Sequence, residues 1–117
     1  MHIPMRFEVC VTEDHISSGR PCAAQACPVA LAVREKIGHI PEVKTVSVCD
    51  TVLDIVFSVP PNPYMNPKGR LSQRYNLPYE VGKFIRDFDS EKPVEPFSFE
   101  CDAMGIYDVI AMTNRSP

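Results

Sequence analysis

Residues 43–59 read Val-Lys-Thr-Val-Ser-Val-Cys-Asp-Thr-Val-Leu-Asp-Ile-Val-Phe-Ser-Val. Val46 and Val48 alternate with Thr45, Ser47 and Cys49, and after Asp50-Thr51 the alternation resumes in Leu53, Ile55, Phe57 and Val59. A period of two sends successive side chains to opposite faces of a pleated strand, so each half reads as a strand with one buried face. Two strands, at about 43–49 and 52–59, are expected to pair as a hairpin. Asp-Thr is not among the strong hairpin dipeptides, so this pairing rests on the alternation and not on the turn.

Upstream, Pro28 suits the first position of a helix, where the N–H it lacks would be unpaired anyway. Val29, Ala30, Val33 and Ile37 form a stripe at helical spacing, Arg34, Glu35 and Lys36 are polar, and Gly38 is a good stop. Pro41 returns the chain to extended structure. Further back, Phe7, Val9 and Val11 alternate with Arg6, Glu8, Cys10 and Thr12, which predicts a first strand over 5–12. Thr12 followed by Glu13-Asp14-His15-Ile16, with Gly19 soon after, reads as one capped helical turn. Residues 17–27 are small or polar and contain Pro21, so they read as a loop.

Downstream, Pro60, Pro61, Pro63 and Pro67 forbid a helix and discourage a central strand, and residues 60–76 are read as a proline-rich loop. Pro78 opens a second helix in which Val81, Phe84, Ile85 and Phe88 follow the i, i+3, i+4, i+7 rule, while Lys83 and Asp87 can pair across one turn. Pro93 and Pro96 mark a linker, and Phe97, Phe99 and Cys101 alternate as a last strand. Residues 102–117 form a C-terminal extension, in which Ile106, Tyr107, Val109, Ile110 and Met112 fit either an edge strand or a short docked helix.

The predicted order is strand, helix, strand, strand, helix, strand. The fold class is α+β in a single domain spanning 1–117. Its expected architecture is a four-stranded antiparallel sheet with two helices on one face, in the βαββαβ order of ferredoxin-like sandwiches, with the proline-rich insert before the second helix. Other α+β arrangements share that order.

The 117 residues are 44% apolar and 23% charged, as in an ordinary globular protein. Fifteen acids against twelve bases give a net charge of −3, which argues against a general nucleic-acid or membrane-surface binder. No apolar run approaches the roughly 18 residues that span a bilayer. The first residues, Met-His-Ile-Pro-Met-Arg-Phe-Glu, hold no signal-peptide core, so a cytoplasmic location is expected. Five cysteines are then expected to be free thiols without a disulfide. Twelve prolines against five glycines point to stiff, ordered loops.

Several strings here resemble a class of short, mostly uncharacterised phage-encoded proteins. They are His15-Ile16 followed by Gly19, then Cys27-Pro28-Val29-Ala30-Leu31-Ala32-Val33, later Phe84-Ile85-Arg86-Asp87-Phe88-Asp89, and finally Pro96-Phe97-Ser98-Phe99-Glu100. The resemblance covers roughly residues 6–101, apart from the proline-rich insert. It implies a phage origin and no particular activity. Small phage proteins without catalytic motifs often bind a host component, and some of them block host defence. If this chain is phage-encoded, its compartment is the host cytoplasm.

Three constellations can carry chemistry. His15, Cys22 and Cys27, with His39 or Cys49 as a fourth group, are the residue types that zinc takes in a tetrahedron, though no Cys-x-x-Cys knuckle accompanies them. The alternative is structural: Cys27 as a small buried residue at a helix start, Cys10 and Cys49 on strands, and His15 as a cap or brace for the loop into the first helix. Cys27 also falls at the start of a helix, where unpaired N–H groups favour a thiolate, with His15 as a possible base. A cap facing the core would raise that thiol instead, and no third orienting group is visible.

The last constellation is the insert. No acid lies between Asp54 and Glu80, an interval that holds Lys68, Arg70 and Arg74 interleaved with Tyr64, Tyr75 and Tyr79, and with Met65 and Asn66 nearby. Tyrosine and arginine are enriched at binding hot spots, and prolines lower the entropy lost when a loop docks. Tyr64, Lys68, Arg70, Arg74, Tyr75 and Tyr79 are therefore the candidate binding residues. By contrast, residues 80–117 carry eight acids and four bases.

The reading that follows is a non-enzymatic binding protein that docks on a host macromolecule through the insert and requires no cofactor. A second reading is a sponge for a small anionic ligand such as a nucleotide, held by Arg70, Arg74 and aromatic stacking. A third is a Cys/His metal or thiol site at His15, Cys22 and Cys27.

Overall fold

In a computed structural model, which describes residues 6–61, 63–64 and 67–102, the hairpin is present. Along the chain run β1 (Arg6–Val11), α1 (Glu13–Ser18), α2 (Pro28–Ile37), β2 (Val43–Cys49), β3 (Val52–Ser58), β4 (Arg70–Asn76), α3 (Tyr79–Asp89) and β5 (Phe97–Asp102). β2 and β3 pair antiparallel from Cys49 opposite Val52 to Val43 opposite Phe57, with an irregularity between Val43 and Thr45. The turn is closed by Asp50 at φ 54, a left-handed conformation that a short polar residue tolerates.

The sheet differs from expectation. The strands do not form one four-stranded sheet; β1 and β5 make a two-stranded antiparallel sheet, and β2, β3 and β4 make a three-stranded one in that order. The cause is a strand inside the segment read as loop. β4 lies along β3 from Asn76 opposite Val52 to Arg70 opposite Ser58. A ferredoxin-like arrangement needs that edge of β3 for the first strand. With β4 there, β1 is left to pair with β5 alone, Val9 facing Phe99 and Phe7 facing Cys101. The prolines end at Pro67, so their restriction never reached residues 70–76. Gly69, at φ 68, turns the chain into β4, and its carbonyl accepts from Val59 N–H at 2.8 Å. Only glycine enters that backbone region without strain.

α2 carries the two sheets together, since it packs against both β1 and β2, and α1 packs on α2. Cys27 is its N-cap, and Pro28 begins it. The core holds Val9, Val11, Val29, Val33, Val46, Leu53, Ile55, Phe57 and Val81 essentially without solvent contact. Phe7, Phe84 and Phe99 are buried as the periodicity implies, whereas Phe88, also expected inside, is half-buried beside the core. α3 lies close to the β2–β3 turn: a Cβ at Gly82 would meet Thr51 Cγ2 at 2.6 Å. All five cysteines are free, Cys27 and Cys101 buried and Cys10, Cys22 and Cys49 exposed. No described helix is long and apolar enough to cross a membrane. Met65, Asn66 and the apolar positions of the C-terminal extension lie outside the described residues.

Candidate functional site

The alternation of the three-stranded sheet decides what faces solvent. Val46, Val48, Leu53, Ile55 and Phe57 are buried on one face, and Leu71, Gln73 and Tyr75 of β4 extend that face at its half-buried margin. The opposite face of β4 carries Arg70, Ser72, Arg74 and Asn76, all exposed. Ser47, Asp54 and Arg74 stand in one row across β2, β3 and β4. Asp54 is held from β4 on both oxygens: Ser72 Oγ donates to Oδ1 at 2.8 Å, and Arg74 Nε lies 3.6 Å from Oδ2. Beside them is a concavity of about 300 Å³ lined by Ser47, Cys49, Val52, Asp54 and Arg74.

The six sequence candidates therefore do not share one surface. Arg70 and Arg74 lie together on the open face of β4. Tyr64, 84% exposed, and Lys68 lie in the segment that leads to it. Tyr75 is a correction. Its ring points to the opposite, half-buried face, its hydroxyl is buried without a hydrogen-bond partner among the described residues, and burial pushes its phenol up to about 12. An odd position between Arg74 and Asn76 on a strand cannot face the same way as they do. Tyr79 opens α3, with the Arg86 guanidinium 5.7 Å from its ring centroid, and Arg86 also donates to Asp50 Oδ1 at 2.8 Å. That ring is exposed but belongs to a contact fixing α3 to the hairpin turn. Asp54 and Ser47 were missed by sequence reasoning, because only cross-strand register places them beside Arg74.

The His15, Cys22 and Cys27 grouping does not form. His15 makes a capping box with Thr12: Thr12 N–H donates to His15 Nδ1 at 2.9 Å, and His15 N–H donates to Thr12 Oγ1 at 3.4 Å. Because Nδ1 accepts there, the ring proton sits on Nε2, which donates to Glu35 Oε2 at 2.7 Å. Both ring nitrogens are thus engaged, Nδ1 in capping α1 and Nε2 in tying α1 to α2. Cys27 Sγ accepts from Ala30 N–H at 3.4 Å, and burial pushes its thiol pKa up in spite of that bond. Cys22, Cys27 and Cys49 do line one cavity of about 160 Å³, together with Asp50 and Asp89, but His15 and His39 are not part of it. Asp89 Oδ1 accepts from Cys22 N–H at 2.8 Å and holds that loop in place. Among the described residues no three histidine, cysteine or carboxylate side chains gather closely enough to hold a metal ion.

No family model matches this chain, and neither does any curated protein or solved structure.

Proposed function

We propose that this chain is a non-enzymatic binding protein of phage type that docks on an acidic surface of a host protein through the open face of β4. The observation that carries the reading is the placement of Arg70 and Arg74 on one exposed strand face, beside a concavity and with the opposite face half-buried at the margin of the core. Arginine on a rigid strand presents a planar donor fork at low entropic cost, which suits carboxylate recognition. Lys68 and Tyr64, just before the strand, extend the contact area.

A macromolecular partner fits this face better than a nucleotide sponge does. Asp54 lines the same concavity as Arg74 and repels an anion placed inside it. Tyr75, the tyrosine nearest Arg74 in sequence, lies on the other side of the sheet and offers that face no stacking ring. A catalytic reading has still less support, since the His15 ring is committed to Thr12 and Glu35 and the Cys27 thiol is pushed away from the thiolate.

The experiment is affinity capture from host extract with the wild-type chain and with the Arg70→Glu, Arg74→Glu double variant, followed by mass spectrometry of what is retained. A partner held by wild type and lost by the variant is the expected result. Retention of the same partner by both removes β4 from the interface. Ultraviolet absorbance and mass spectrometry of the purified chain read out a co-purifying nucleotide, which would favour the sponge instead.

A further inference from the structure

A second surface has the opposite charge and a different floor. Glu80, Lys83, Phe84 and Asp87 stand at i, i+3, i+4 and i+7 on α3 and so share one helix face. Facing them is the segment 93–97, and the two enclose an open groove of about 490 Å³. Pro93 and Pro96 flank Val94 and Glu95 in that segment, which stiffens the groove wall and lowers the entropy lost on binding.

The floor is aromatic. Phe84 and Phe97 have ring centroids 4.7 Å apart; Phe84 stacks on Phe88 at 6.3 Å, and Phe97 on Phe99 at 5.7 Å. Phe84 and Phe99 are buried while Phe88 and Phe97 are half-buried, so the ladder runs from the core out to the groove. Half-exposed aromatic rings anchored on buried ones give a rigid apolar contact surface. The rim is acidic. Lys83 Nζ lies 3.5 Å from Asp87 Oδ2 and is engaged there. Glu80 and Glu95, both exposed and on opposite walls, make no ion pair among the described residues.

From this pairing of floor and rim we infer that the groove binds a peptide segment of a partner protein in which a bulky apolar side chain is flanked by arginine or lysine. The apolar side chain covers Phe84, Phe97 and Val94, and the basic flanks meet Glu80 on one wall and Glu95 on the other. Charge complementarity selects this occupant over an acidic one. The groove is separate from the β4 face and takes the opposite charge, so the two readings stand or fall independently.

The test uses the full chain and two short fluorescent peptides read by anisotropy. One carries a Phe and a Leu between arginines; in the other, glutamates replace the arginines. The basic peptide is expected to bind, with affinity falling as salt is raised, and the acidic one not to bind. Glu80→Lys with Glu95→Lys should weaken the basic peptide by about tenfold, as expected for losing two exposed attractions and adding two repulsions. Both sites are exposed, so circular dichroism should be unchanged; Val94→Gln, which removes apolar contact surface and leaves the charge of the rim as it is, provides an independent loss of binding. Arg70→Glu with Arg74→Glu should leave peptide binding in place. Equal binding of the two peptides, unchanged binding by both groove variants, or loss on reversing Arg70 and Arg74 instead would overturn the proposal. So would sedimentation as a dimer that the groove variants dissociate, because the occupant would then be a second copy of this chain.

Discussion

Replacing Tyr75 by Phe should stabilise the protein. The Tyr75 ring packs at the margin of the core on β4, yet its hydroxyl is buried with no hydrogen-bond partner among the described residues. In the unfolded chain water satisfies that hydroxyl, and leaving a polar group unpaired on burial costs about 1–3 kcal/mol. Tyr75→Phe keeps the ring and deletes the unpaired oxygen, so a gain of about 1 kcal/mol is expected, or roughly 4–8 °C in Tm for a domain of this size. The phenol adds a second, pH-resolved signature. Burial pushes it from 10 to about 12, with the Cys101 thiol as a smaller contribution. A folded pKa above the unfolded one means that the unfolded chain releases this proton first. The contribution is fully present below pH 10 and is lost as pH rises through about 12. Urea unfolding of both proteins at neutral pH and across that alkaline window reads both effects. Wild type should lose more stability than Tyr75→Phe across the window. A variant destabilised by about 1 kcal/mol at neutral pH would show that the hydroxyl is paired, and an identical alkaline decline in the two proteins would show that it is solvated; either result would refute the reasoning.

Three further outcomes check the account at other points. His15→Ala removes a capping box and the bond to Glu35 together, and should cost about 1–2 kcal/mol by urea unfolding; His15→Asn, able to cap but not to reach Glu35, should recover part of it. Phe57→Ala, at a site with essentially no solvent contact, should cost about 3–5 kcal/mol in the same assay. Brief alkylation of the native protein followed by mass spectrometry should modify Cys10, Cys22 and Cys49, with Cys27 and Cys101 reacting only after unfolding.

The hairpin, both longer helices and the first and last strands were legible because each carries a period that only one element satisfies. Val46 and Val48, then Leu53, Ile55 and Phe57, alternate without interruption, and all five are buried. β4 was not legible, for a physical reason. At the edge of the sheet its inward positions are Leu71, Gln73 and Tyr75, which are only half-buried, so no apolar stripe announces the strand. The prolines just before it, which end at Pro67, mask the start of extended structure at Arg70. Recognising β4 changes the topology, because it takes the edge of β3 that a four-stranded sheet would give to β1. It also sorts the candidate residues. Arg70 and Arg74, an even number of positions apart, share a face, while Tyr75 had to fall on the other once the segment is extended. His15 was legible as a cap from Thr12 and the acids behind it, but its link to Glu35 needed the α1–α2 packing. The groove on α3 was half legible: Lys83 and Asp87 pair as their spacing indicates, whereas the approach of Glu95 depends on the path of the 93–97 segment.

The central claim is that the open face of β4 is where a partner binds. Its most direct measurement is the affinity of the captured host protein for wild type and for Arg70→Glu with Arg74→Glu, by biolayer interferometry over a range of salt. Both arginines are exposed, so the variant should stay folded, although Arg74→Glu sets a like charge opposite Asp54 and should cost up to about 1 kcal/mol in unfolding. Binding should weaken by about tenfold or more, through slower association if the arginines lie at the rim and faster dissociation if they are central and desolvated. Equal affinity and equal salt dependence in the two proteins would contradict the account and take the β4 face out of the interface.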